Sequence, residues 1–302
     1  MRMRLTVVLF TTLCMPVLLH ARVEGHFDRT LTVSGPVSLD LTTGSGEIAI
    51  KSGSTNQVVI HGTVRSSNEW FSSSEGAVHQ VESNPPIQQN GSSIRIGYDL
   101  PEDVKRHVSI SYEVTVPADT KVQAHSGSGT IGVNGVRSGV EATTGSGDVR
   151  LRDIGSGVRA QTGSGEIQAE NVSAPFKAHT GSGEIQAQLT GSGDSDVQTG
   201  SGSVRLTGVK GGLRARTGSG DIEADGDVKG PWQLNTGSGS VHVAVGSGSG
   251  FNLDVHTSSG SIHSDLPITV QGSLGRRELK GTVRGGGPDL EVSTGSGDVT
   301  IR

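Results

Sequence analysis

Two sets of side chains recur at spacings that could do chemistry. The first is Asp221-Ile222-Glu223-Ala224-Asp225. Alternation of period two sends its three carboxylates to one outward face. Arg205 lies about one repeat before this cluster and His242 one repeat after it. Paired acids serve glycosidases, so these five residues are the candidate catalytic set for cleaving a polysaccharide. The second set is Asp148, Glu166 and Glu184, which follow a Gly-Ser-Gly at identical places in successive repeats. If the repeats stack about 4.8 Å apart, these carboxylates repel unless protonated or bridged by a cation. Calcium would suit such oxygen ligands.

Each set also has a plainer explanation. The position after Gly-Ser-Gly is occupied by Glu47, Thr130, Asp148, Glu166, Glu184, Ser203, Asp221, Ser240, Ser261 or Asp298, and six of these ten are acidic. Asp, Ser and Thr all hydrogen-bond turn backbone, so a column that accepts Ser203 and Ser240 works without charge. The Asp221 cluster likewise reads as a solvated charged face. Arg152 and Glu170 occupy matching outward positions and are expected to form an exposed ion pair. His242 and His263 are expected on adjacent rungs, with His256 one strand away, and read as exposed histidines rather than a metal site. No serine sits in a nucleophile elbow with a companion histidine. The glycines lead into no helix, so no helix dipole is available for an anion. The expectation is therefore no enzyme, no cofactor and no metal, with the Asp221 and Asp148 sets kept as the alternatives.

What must position these residues is a repeat. The hexad Thr144-Gly145-Ser146-Gly147-Asp148-Val149 returns, lightly varied, from Thr43, Ser126, Thr162, Thr180, Thr199, Thr217, Thr236, Thr257 and Thr294. From Ser126 to Thr257 the steps are 18, 18, 18, 19, 18, 19 and 21 residues, and the last step is 37. A fixed period of this length signals a solenoid whose units bury their apolar faces only by stacking. Apolar residues stand four and two positions before each hexad, as at Val140 and Ala142, and again from its last residue on, as at Val149 and Leu151. That is strand, tight turn, strand. Parity points the hexad threonines inward, where their hydroxyls would bond turn backbone. Only 31% of residues are apolar and 3% aromatic, with 47 glycines. A narrow core of Val, Ile, Leu and Ala is what such a composition can fill.

The chain divides accordingly. Residues 1–21 read as a signal peptide: Arg2 and Arg4, an apolar run from Leu5 to Leu19, and a small residue at Ala21. Its removal deletes no acid and takes the formal charge from −5 to −7, which disfavours nucleic acid. It also removes Cys14, the single cysteine; the bulky Leu13 before it argues against a lipoprotein site. No later stretch is long and apolar enough to span a membrane as a helix. Residues 22–121 read as irregular β rungs with an excursion around 66–107, anchored by Trp70-Phe71. Residues 122–265 form the regular array. Residues 266–302 are a C-terminal cap, a hairpin ahead of the final rung, because solenoid ends must hide strand edges.

The hexads, the early LTVSGPVSLDLTTGSGEIAI, the SISYEVTVP lead-in and the closing ITVQGSLG, LKGTVRGGG and VSTGSGDVTI resemble the putative-adhesin family of secreted bacterial Gly-rich repeat proteins. That family is a domain of unknown function. The resemblance implies a β-solenoid and export, and supplies no catalytic residues. The reading that combines these points is all-β: a parallel β-helix or β-solenoid with about 18-residue rungs, right-handed by the crossover rule. Its expected function is that of an exported, non-enzymatic adhesin or envelope binding or scaffold protein, with glycan or protein as partner, located in the periplasm, at the cell surface or outside the cell. The alternative is a carbohydrate-active β-helix enzyme using the acidic face.

Overall fold

The computed structural model describes residues 23–53, 56–66, 72–270, 275 and 277–302. The signal reading at 1–21 and the Trp70-Phe71 pair lie outside them. Strands dominate, and they pair at the spacing of the repeat. Val140–Thr144 lies parallel to Val158–Thr162 with Val140 opposite Val158, and Val149–Ile154 lies parallel to Ile167–Val172 with Val149 opposite Ile167. The strands that lead into the hexads thus build one parallel sheet, and those that leave them build a second. Every other residue of both sheets faces a shared core. Val140, Ala142, Val149 and Leu151 are buried, as are their counterparts Val158, Ala160, Ile167 and Ala169. A lone buried apolar residue at or just past the end of the second sheet's strands, such as Val136, Ile154, Val172 or Val209, closes the rung.

The corner between the sheets is held by its threonines. Thr162 donates its hydroxyl to the carbonyl of Gly147 on the neighbouring rung at 2.8 Å and accepts the N–H of Gly165 at 3.1 Å. Thr180 repeats this with Gly165 and Gly183. The same donation to the adjacent rung runs from Ser126 to the last threonine. Buried polar groups must find partners, and this ladder satisfies the turn backbone while sewing each rung to the next.

Both ends of the stack depart from sequence order. At the N-terminal end, Ser38–Thr43 and Ile48–Gly53 stack directly on Lys121–Ser126 and Ile131–Asn134, so the intervening segment lies outside them. That segment supplies Val108–Pro117, which covers the second sheet's edge at Ile48–Gly53, and the antiparallel strand Gln57–Ser66 beside it; Glu24–Thr32, from before the first rung, pairs antiparallel with Gln57–Ser66. Two helices sit here, α1 (Ser72–Ser83) and α2 (Glu102–His107). They bury Val78, Val81 and Val104.

At the C-terminal end the last residues return into the stack. Asp289–Ser296 lies between Ile222–Ser238 and Phe251–Ser259, and Val299–Ile301 lies between Val241–Val245 and Ile262–Ser264. An antiparallel pair, Ile268–Val270 and Glu278–Val283, covers the edge of Phe251–Ser259 in the first sheet. The expected stacking of His242 on His263 is thereby overturned, because Thr300 stands between them. His256 belongs to the first sheet, opposite Ser293 and Glu278.

Candidate functional site

The outer face of the second sheet carries the site. Its strands place side chains in columns along the solenoid axis. One column runs Glu113, Ala49, Gly132, Arg150, Gln168 and continues through Gln186, Arg205, Glu223, His242 and Thr300. These are ten adjacent strands, a run of about 43 Å at the usual inter-strand spacing. A second column two residues on includes Lys51, Asn134, Arg152 and Glu170.

Three depressions follow this face and share their walls. The first, about 410 Å³, lies between Lys51, Glu113, Asn134, Arg150 and Arg152, with Ala49 and Gly132 as its floor, and ends at Gln168 and Glu170. The second, about 340 Å³, begins at the same Gln168 and Glu170, continues over Gln186 and Gln188, and ends at Arg205 and Thr207. The third, about 310 Å³, starts from Arg205 and Thr207 and extends over Glu223, Asp225, His242 and Arg302. Together they make one open groove along the axis.

Two ion pairs lie inside it, and Arg150 is tied to the corner. Arg152 donates to Glu170 at 2.9 Å, and Arg150 reaches Asp148 at 2.8 Å. Arg205 holds Glu223 with two hydrogen bonds, 2.7 and 3.1 Å, and lies 3.9 Å from Glu184. That fork keeps the Glu223 carboxyl below the usual carboxylate range, because a partner that favours the charged form lowers a pKa. Lys51 is exposed and makes no ion pair among the described residues.

The sequence-predicted sets now have places. Arg205, Glu223, Asp225 and His242 share the third depression, with Glu223 between Arg205 and His242 in register. Asp221 does not join them. It sits at the corner, where its carboxylate accepts the N–H of Ser240 at 2.7 Å. Asp148, Glu166 and Glu184 occupy the same corner column. Asp148 accepts the N–H of Glu166 at 3.1 Å with one oxygen and the Arg150 guanidinium with the other. Gln168 donates to Glu166 at 2.9 Å. At the far end Asp298 accepts both the N–H and the hydroxyl of Ser261 at 2.8 Å, which holds its pKa down. Among the described residues no three His, Cys, Asp or Glu side chains stand where one metal ion could be held.

The first depression was not anticipated. Its signal was the pair of small residues, Ala49 and Gly132, in a column otherwise polar. Reading it required knowing that Ile48 stacks on Ile131 across the whole N-terminal excursion.

Among solved structures, the chain is similar to a putative cell adhesion protein from Clostridium sporogenes ATCC 15579, at 10% identity over 92% of this chain and 99% of that one, with a TM-score of 0.22. It is also similar to a putative adhesin from Bacteroides fragilis NCTC 9343, at 12% identity over 92% and 96%, with a TM-score of 0.34. No curated protein matches. The model of the Toastrack DUF4097 family, a domain of unknown function, matches residues 38–302. The stacked rungs, the C-terminal end of the stack and the groove fall within that span, only the strand Glu24–Thr32 of the described elements lies before it, and the chain belongs to the Toastrack DUF4097 family.

Proposed function

We propose that the protein is an exported, non-enzymatic binding or scaffold module of the cell envelope, and that the groove is its working surface. The observation that carries this is the continuity of the three depressions over ten strands, with Arg152 and Arg205 engaged by Glu170 and Glu223 rather than poised for reaction. Export rests on the basic start at Arg2 and Arg4, the apolar run to Leu19 and the small Ala21. The rungs are taken to coil right-handed, as parallel crossovers do.

The second reading, a polysaccharide-cleaving enzyme, is favoured by Arg205, Glu223, Asp225 and His242 sharing one depression. Against it stands the state of Glu223. A general acid for glycosidic cleavage needs a raised pKa, and Arg205 holds this one low. Incubating the purified full chain with neutral polysaccharides and polyuronates, and assaying for new chain ends, separates the two. The expected result is no cleavage by wild type or by Glu223→Gln. Reproducible cleavage by wild type that Glu223→Gln abolishes overturns the non-enzymatic reading.

A further inference from the structure

We infer that the groove takes one extended chain of a neutral polysaccharide, lying along the solenoid axis with about one sugar per rung. This rests on the reading of the groove as the binding surface and names its ligand. The depressions line up along the axis, so the occupant is long and linear. Over the second depression its width is set by outward side chains two residues apart on one strand, Gln186 and Gln188, which is about 7 Å. A helix with its side chains is 10–12 Å across and is too broad for that channel. An extended peptide would bring backbone N–H and C=O groups that need partners, but the sheet's own backbone is already paired and offers none.

The chemistry of the lining selects among linear polymers. The centre of the groove is amide and hydroxyl: Gln168, Gln186, Gln188 and Thr207. Each such group both donates and accepts, as sugar hydroxyls do. The ends carry ions of both signs already joined as Arg152–Glu170 and Arg205–Glu223. A polyanion would meet Glu113, Glu170 and Asp225, and a polycation would meet Lys51, Arg150 and Arg205. Neither finds a field of one sign to steer it. A neutral chain is opposed by neither.

The first depression is the anchoring position. Gly132 is not required there by the backbone: its φ lies outside the left-handed region, and a Cβ would meet only the Ile48 carbonyl oxygen, at 3.9 Å. Glycine weakens a strand interior, so its presence here leaves floor space rather than serving the fold. With Ala49 it forms a flat, uncharged floor on which the C–H face of a pyranose can lie, while Lys51, Asn134 and Arg152 reach the hydroxyls from the sides.

The test is calorimetric titration of the full chain with β-1,4-linked gluco-oligosaccharides from disaccharide to octasaccharide, and with oligouronates of matched length. Affinity for the neutral series is expected to rise at least about tenfold from trimer to hexamer, as each added sugar gains hydrogen bonds. Oligouronates should bind at least about tenfold more weakly than neutral chains of equal length. Gly132→Trp, which fills the floor, and the exposed double variant Gln186→Ala/Gln188→Ala should each lose at least about tenfold. The double variant keeps the test decisive if Gly132→Trp fails to fold. Gln198→Trp, on the outer face of the other sheet, should bind as wild type. Absence of length-dependent binding to the neutral series, preference for uronates, or wild-type affinity in the double variant overturns the inference. If the groove variants lose retention on cell envelope while no neutral oligomer binds, the ligand assignment fails and the groove's role stands.

Discussion

Replacing Gly165 with alanine is expected to cost about 3 kcal/mol or more, whereas Gly44→Ala should be neutral or slightly stabilising. Gly44 is the first glycine of its hexad and Gly165 the second of its own, and neither lies in the left-handed region, so the contrast turns on what a Cβ would meet. A Cβ on Gly165 would lie 1.9 Å from the carbonyl oxygen of Gly147 and 2.5 Å from its carbon. The clash is with backbone of the adjacent rung, which cannot rotate aside. A methyl on Gly44 would meet nothing within 4 Å, because that glycine ends its column, and alanine narrows the unfolded ensemble. In a solenoid each rung is held by its neighbours, so the Gly165 variant should loosen the rungs on either side as well. Thermal melts followed by circular dichroism check this. Equal melting temperatures for the two variants would mean that the corners do not stack as described.

The second large effect concerns the two faces of one strand. Leu206→Asp should lower stability by several kcal/mol, while Arg205→Ser should leave the melting temperature nearly unchanged. Leu206 is fully buried between Ala187 and Ala224, and aspartate there is a buried charge without a partner. Arg205, its neighbour, projects into the groove and gives up an exposed fork to Glu223, an interaction that water and salt weaken. Comparable losses for the two variants would show that the inward and outward faces are reversed.

Much of this arrangement could be read from residue pattern alone. Val140 and Ala142 before a hexad and Val149 and Leu151 from its last residue on already specify two strands with one buried face. A constant spacing then leaves little choice but to stack them. The Thr ladder followed from parity, and the pair Arg152–Glu170 from matching positions one repeat apart. The ends were less legible for a physical reason. Thr294-Gly295-Ser296-Gly297-Asp298-Val299 fits beside any other hexad equally well, so nothing local says that it slots between Thr236 and Thr257 rather than beyond them. That placement depends on the antiparallel strand Glu278–Val283 turning the chain back. Helix α1 did leave a trace in Ala77, Val78 and Val81, whose spacing gives one apolar helical face. Alternation points the carboxylates of the Asp221 cluster away from the core, and none of the three is buried. Alternation could not say that Asp221 faces the corner backbone while Glu223 and Asp225 face the groove.

The central claim is that the outer face of the second sheet is where this protein binds. Its most direct test is retention of the purified full chain on isolated cell envelope, comparing wild type with one variant on each outer face. Gly132→Trp fills the floor of the first depression, and Gln198→Trp places the same bulk on the first sheet. Wild type and Gln198→Trp should be retained alike, and Gly132→Trp should be lost to the supernatant with its circular dichroism intact. Retention of folded Gly132→Trp at the wild-type level, or selective loss of Gln198→Trp, would contradict the assignment and move the binding surface to another face of the solenoid.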